Sequence, residues 1–132
     1  MNEQQIMTQE EIHSFGVEVV FNQLKKEGYQ IESVNTDINM NPQIAARKDD
    51  ELAFILVRTA CYPKKGESPD DVLIEKLARH AKRFNAACYF ASVGIANAGG
   101  NNEDDISIPI RGAGFYIAYK GLEALIFPTS ET

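Results

Sequence analysis

Residues 42–61 read PQIAARKDDELAFILVRTAC, and the order of residue types in this stretch decides the fold. Gln43 to Lys48 has the length of a short strand. Lys48, Asp49, Asp50 and Glu51 form a tight polar turn. Leu52 to Cys61 is then nearly continuous apolar sequence, the pattern of a strand buried on both faces in the middle of a sheet. A hairpin ending in a central strand is therefore the nucleus around which the rest of the chain is read.

Upstream, Thr8 and Glu11 form a capping box, in which hydroxyl and carboxylate each take an orphan helix N–H. Ile12, Phe15, Val19 and Leu24 recur at helical spacing, with Val20 beside them. Lys25 and Lys26 suit the negative end of the helix dipole and Gly28 suits the stop, which predicts a helix over Thr8–Glu27. Tyr29 to Asn35 alternates as a strand, and Asp37 to Pro42 is turn-rich. Downstream, Tyr62 to Glu67 is a loop. Ser68, Pro69 and Asp71 read as cap, first-turn proline and first-turn acid of a second helix with Val72, Leu73, Leu77, Ala81 and Phe84 as its apolar stripe. Ala87 to Ala96 is a second buried strand, Asn97 to Asp105 a loop, and Ile106 to Tyr119 a further strand. Gly121 to Phe127 is a short apolar tail, a helical turn or an edge strand. The expected order is α-β-β-β-α-β-β: an α/β domain with a central mixed sheet flanked by helices, a single unit over 1–132 with residues 1–7 as a flexible lead.

Composition agrees with a globular class: 132 residues, 44% hydrophobic and 24% charged, enough to bury a core without disulfide or metal staples. The formal net charge of −6 disfavours non-specific binding to nucleic acid or anionic membrane. No apolar run approaches the ~20 residues needed to cross a bilayer. The polar, acidic N-terminus is unlike a signal peptide, and Cys61 and Cys88 sit in apolar runs without metal spacing. Free thiols and a cytoplasmic location are the expectation.

The helix ending in Gly28-Tyr29, then Ile31 and Asn35, resembles the opening of small nucleases of the PD-(D/E)xK superfamily, particularly Holliday-junction-resolvase-like and Mrr-like domains. Residues 42–47, the polar turn and Phe54-Ile55-Leu56-Val57-Arg58-Thr59 are similar to the catalytic hairpin of that family. The resemblance implies a restriction-endonuclease-like three-layer fold. It also implies that Gln43 falls where the metal-binding Asp belongs, Leu56 where the Glu belongs and Arg58 where the Lys belongs. Glu18 lies near a position at which some members carry an additional acid.

Those substitutions remove the expected chemistry. In the family the acids hold Mg²⁺ through oxygen ligands, and the metal activates water. Gln43 offers one neutral carbonyl and Leu56 offers nothing. Arg58 cannot act as a base, because its pKa exceeds ~12. The expected behaviour is no cleavage of DNA with Mg²⁺ or Mn²⁺, and no cofactor. A relocated acid is the competing reading, with Glu18 and Asp37 ahead of Glu32 and Glu51. Arg58, with Gln43 beside it, is a candidate anion clamp by charge-assisted hydrogen bonds.

Other features carry weaker readings. Lys76, Arg79, His80 and Arg83 share a helical face, either a phosphate-facing stripe or the solvated side of an amphipathic helix. His13 pairs with nothing in sequence, and a surface or packing role is expected. Glu103, Asp104 and Asp105 form an acidic loop tip without the twelve-position calcium pattern. The leading functional expectation is a catalytically inactive nuclease-fold domain acting as a binding or assembly module. Its partner would be an unknown protein or a second copy, with Leu122, Leu125, Ile126 and Phe127 covering the interface. The alternatives are a nuclease or nucleic-acid binder with a relocated acidic site, and a small-molecule or anion site at Arg58.

Overall fold

Apolar sequence on both faces of one strand requires cover on both sides, and two helices supply it. The computed structural model describes residues 5–125. Its elements are α1 (Gln9–Lys26), β1 (Gln30–Val34), β2 (Ile44–Lys48), β3 (Glu51–Cys61), α2 (Asp71–Arg83), β4 (Ala87–Asn97), α3 (Glu103–Ile106), β5 (Phe115–Ala118) and β6 (Glu123–Ala124). The strands form one open mixed sheet in the order β1-β2-β3-β4-β5, with β6 also paired to β4. β1, β2 and β3 are antiparallel neighbours, and β3 and β4 are parallel, from Ala53↔Ala87 to Cys61↔Ile95.

Alternation along β3 divides the interior in two. Ala53, Ile55 and Val57 join Val17, Val20 and Leu24 of α1 in one cluster. Phe54 and Leu56 join Leu77 and Ala81 of α2 in the other. Each fully buried aliphatic side chain contributes roughly 1.5–3 kcal/mol. The sheet therefore carries a helix on each face, and the core is split by β3 and β4.

Local signals explain the element ends. Thr8 caps α1 with the reciprocal Glu11 bonds at 3.1 and 2.9 Å. Gly28, at φ 94°, ends it in a Schellman motif: Gly28 N–H donates to the Lys25 carbonyl and Tyr29 N–H to the Leu24 carbonyl. Asp49 and Asp50 both have positive φ, 53° and 67°, as a tight type I′-like hairpin turn between Lys48 and Glu51 demands.

Several expectations need correction. The cap of α2 is Asp70, whose carboxylate accepts Leu73 N–H at 2.9 Å, so Ser68 and Pro69 precede the helix. The Asp70 carboxylate satisfies an orphan N–H of the first turn, which Pro69, with no side-chain acceptor, cannot do. Within α2, Val72 is exposed and only Leu77 and Ala81 are buried, and Phe84, at the C-cap, is exposed as well. The expected loop at 97–105 contains the start of α3, capped by Asn102, and the expected strand from Ile106 shrinks to Phe115–Ala118. Ser107 and Ile108 donate backbone N–H groups to Asp104 and Asp105, which commits them to a helical turn. The inward face of α1 is also rotated from its expected setting: Ile12, His13, Gly16, Val17, Val20 and Leu24 are buried, while Phe15 and Val19 pack at the margin.

Of the lead segment 1–7, residues 1–4 lie outside the described residues. Met7 N–H donates to the Pro109 carbonyl and Arg111 N–H to the Gln5 carbonyl. In the apolar tail, Leu122 and Leu125 pack against this chain's own two clusters, and Ile126 and Phe127 lie outside the described residues. Cys61 and Cys88 are free and stand at opposite ends of the β3–β4 pair, opposite Ile95 and Phe54. Among the described residues, no helix is long and apolar enough to cross a membrane.

Candidate functional site

β2 stops at Ile44, but the ladder it makes with β3 runs one step further through a side chain. Gln43 N–H donates to the Ile55 carbonyl, and Gln43 Oε1 then accepts Val57 N–H at 2.8 Å. The amide Nε2 donates to Asn41 Oδ1 at 2.9 Å, to the Met40 carbonyl at 3.2 Å and, more weakly, to the Asp37 carbonyl at 3.4 Å. With 1% exposure and both ends engaged, Gln43 is a structural clasp between the 37–41 loop and β3.

Arg58 sits against the same clasp. It donates to the Val57 carbonyl at 2.8 Å and, at 3.3 Å each, to Gln43 Oε1 and Asn41 Oδ1. All three acceptors are neutral, and no carboxylate lies within ion-pair distance of it among the described residues. Burial pushes its pKa down from the ordinary guanidinium value. Leu56 is fully buried in the cluster beneath α2. A committed amide and a core leucine do not fit a divalent metal. Among the described residues, no three His, Cys, Asp or Glu side chains converge as a metal site.

On the α1 side of the hairpin lies a cleft of about 720 Å³. Its walls are the first turns of α1 (residues 9–11, 13 and 14), the 35–39 loop and Thr59 of β3. Asx-type bonds shape the loop: Asp37 N–H donates to Asn35 Oδ1 and Asn39 N–H to Asp37 Oδ1, both at 2.9 Å. At the floor, His13 is only 4% exposed, yet neither ring nitrogen has a hydrogen-bond partner, and Thr59 Oγ1 also lacks one. An orphaned buried polar group costs about 1–3 kcal/mol. Burial holds the His13 imidazole below its ordinary pKa; the Arg58 charge adds to this, and Asp37 opposes it. The imidazole is therefore neutral near pH 7, with one donor and one acceptor.

Thr59 packs against α1 at the edge of this floor because Gly16 has no side chain: Thr59 Oγ1 occupies the space a Cβ there would need, and like the His13 ring nitrogens it is closed to solvent. At the mouth, Glu10 and Asp37 are exposed. Glu11 is held by Arg111 in a two-pronged ion pair with both contacts at 2.7 Å, which, with the Thr8 N–H, pulls its carboxyl down to about 2.

The other expected residues are scattered. Asp37 is at the cleft mouth, while Glu18 is exposed on α1 and is not among the cleft-lining residues. Glu32 pairs with Arg47 at 2.8 Å, and Glu51 is exposed at the hairpin turn. Lys76, Arg79 and Arg83 are exposed on α2, and Arg79 is tied to Glu75 one turn earlier. His80 stacks on Phe54 and meets the edge of Phe84.

A family model described as Domain of unknown function (DUF8840) matches residues 10–125. The chain belongs to that family. Searches of curated proteins and of solved structures return no match. The family span takes in every wall of the cleft except Gln9.

His13 and Thr59 were not singled out as site residues by sequence reasoning. One signal was present: His13, Val17, Val20 and Leu24 follow the i, i+4, i+7, i+11 spacing of a buried helical face. A histidine on such a face must either find a partner or line a cavity. The Thr59 signal was absent, because its position depends on a glycine far away in sequence.

Proposed function

We propose that this chain is a non-enzymatic binding module of restriction-endonuclease-like layout, and that it holds a small polar molecule in the cleft between α1 and the 35–39 loop. The observation that carries the reading is the floor of that cleft, where a buried neutral imidazole and a threonine hydroxyl have no protein partners. A ligand that turns these side chains toward the cleft and hydrogen-bonds them recovers free energy the unliganded fold forgoes. The nuclease-like layout is supported by the β2–β3 hairpin, the α2 crossover into parallel β4 and the helix on each face. The inactive character is supported by Gln43 and Leu56, which are committed to structure. Arg58 is not among the cleft-lining residues, and its N–H groups are engaged by neutral oxygens, which weakens the anion-clamp alternative.

The test is a protein-observed NMR fragment screen on the whole chain. Hits are expected to perturb amides of residues 9–14, 35–39 and 59, together with the His13 side-chain nitrogens. Hits that cluster elsewhere and leave His13 unmoved would overturn the assignment. A parallel assay on duplex, single-stranded and four-way-junction DNA with Mg²⁺ or Mn²⁺ is expected to show no cleavage. Activity abolished by Glu18→Gln or Asp37→Asn would instead establish a relocated acidic site.

A further inference from the structure

Charge is distributed unevenly along the cleft. Its floor is uncharged, formed by neutral His13 and Thr59, with the half-buried Arg58 close enough to depress the His13 pKa. Its mouth carries Glu10 and Asp37, both exposed, and no lysine or arginine is among the described lining residues. The third carboxylate there, Glu11, is already neutralised by Arg111. An acidic mouth alone would mean little. The unpartnered, nearly buried His13 beneath it is the independent sign of a ligand.

We propose that the cleft takes a small organic cation, whose neutral hydrogen-bonding end meets His13 and Thr59 as their side chains turn out of the closed floor, and whose ammonium or amidinium end lies at the mouth beside Glu10 and Asp37. This rests on the cleft being the binding site. The polarity follows from where charge can be accommodated. A cation driven to the floor would lose hydration, find no counter-charge and face Arg58. An anion at the mouth would meet two carboxylates, and Arg58, held by Gln43, Asn41 and the Val57 carbonyl, is not among the lining residues that could contact it there. A neutral imidazole and a hydroxyl together offer donors and acceptors, which a carboxamide matches on both counts.

Three compounds sharing one carboxamide test this: 4-(aminomethyl)benzamide, 4-methylbenzamide and 4-carbamoylbenzoate, with positive, zero and negative charge at the far end. Affinities are read by chemical-shift titration of the full chain near pH 7 at low salt. A carboxylate roughly 7 Å away through water changes affinity by a factor of about two to three. With two carboxylates, the cation is expected to bind about four- to tenfold more tightly than the neutral compound, and the anion more weakly than either. In a Glu10→Gln, Asp37→Asn double variant the three affinities should converge, with the neutral compound unchanged; Asn retains the oxygen that accepts Asn39 N–H. Equal affinities in the unaltered protein, or an advantage for the anion, overturn the cation proposal while leaving the cleft as the site. Silence from all three overturns the cation proposal alone if other fragments bind the cleft, and overturns both readings if none does.

Discussion

Replacing Gln43 by leucine isolates the contribution of the clasp. Leucine is close in volume, so the packing around this 1%-exposed position is nearly retained and the cost is polar. The Val57 N–H, now bonded to Gln43 Oε1 at 2.8 Å, would be left buried without an acceptor, which costs about 1–3 kcal/mol. Loss of the Nε2 donor adds about 0.5–1.5 kcal/mol, because water can reach part of the 37–41 loop. Arg58 keeps its 2.8 Å bond to the Val57 carbonyl and contributes little to the loss. The expected destabilisation is about 2–4 kcal/mol. At ~2.1 cal/mol/K per residue, 132 residues unfold with an entropy near 0.28 kcal/mol/K, so Tm should fall by about 7–14 °C. Urea denaturation with an unchanged m-value gives the free energy, calorimetry gives Tm, and hydrogen exchange gives the local effect. The Val57 amide should lose protection beyond what the global change accounts for. A loss below about 0.5 kcal/mol, or Val57 exchange that merely follows its neighbours, would refute the claim that this side chain extends the ladder.

Four further outcomes are expected. Gly16→Ala should destabilise by more than the ~1 kcal/mol that helix propensity would gain, because its Cβ meets Thr59, and Thr59→Ala should restore part of the loss in a double-mutant cycle. Glu11→Gln should flatten the acid limb of the stability curve. The Glu11 carboxyl, lowered from 4.5 to about 2, contributes fully above pH 4.5 and loses its contribution as pH falls through about 2. His13, lowered from 6.5, should remain neutral in NMR titration below that pH; stability is full above 6.5 and declines as pH drops toward the folded-state value, a decline that His13→Asn should remove. Tyr119, pushed by burial to about 12, should be the last phenol to ionise at 295 nm, and Tyr119→Phe should abolish that phase. Its contribution holds below pH 10 and fades as pH rises through about 12.

The parts of the fold set by short-range chemistry are legible in the sequence. The Thr8–Glu11 box, the Gly28 stop, the Asp49-Asp50 turn and the two-faced burial of Leu52–Cys61 each depend on residues within a few positions of one another. Misreadings arose where two local signals competed. Ser68-Pro69 and Asp70 each suit a helix start, and the carboxylate won. The run after Ile106 has strand composition, but Asn102 capping Asp105 N–H at 2.8 Å draws its beginning into a helical turn. The candidate site was least legible, since it depends on the meeting of α1 with the end of β3. Nothing near Thr59 announces Gly16, and nothing near His13 announces the loop at 35–39. Gln43 stands where the resemblance expects an acid, whereas its amide serves three loop acceptors through Nε2 and the Val57 N–H through Oε1.

The two-residue turn at Asp49-Asp50 has a kinetic consequence. Lys48 and Glu51 pair directly across it, so the β2–β3 hairpin closes a minimal loop and can form within about 1–10 μs. The parallel β3–β4 pair has no such shortcut, because α2 and its flanking loops must be laid across the sheet before Ala53 meets Ala87. Docking of α1 through Gly16 onto Thr59 is likewise a long-range closure. Folding is thus expected to start from the hairpin and finish with the contacts that enclose the cleft. The cleft would be the last part of the molecule to form and the first to open.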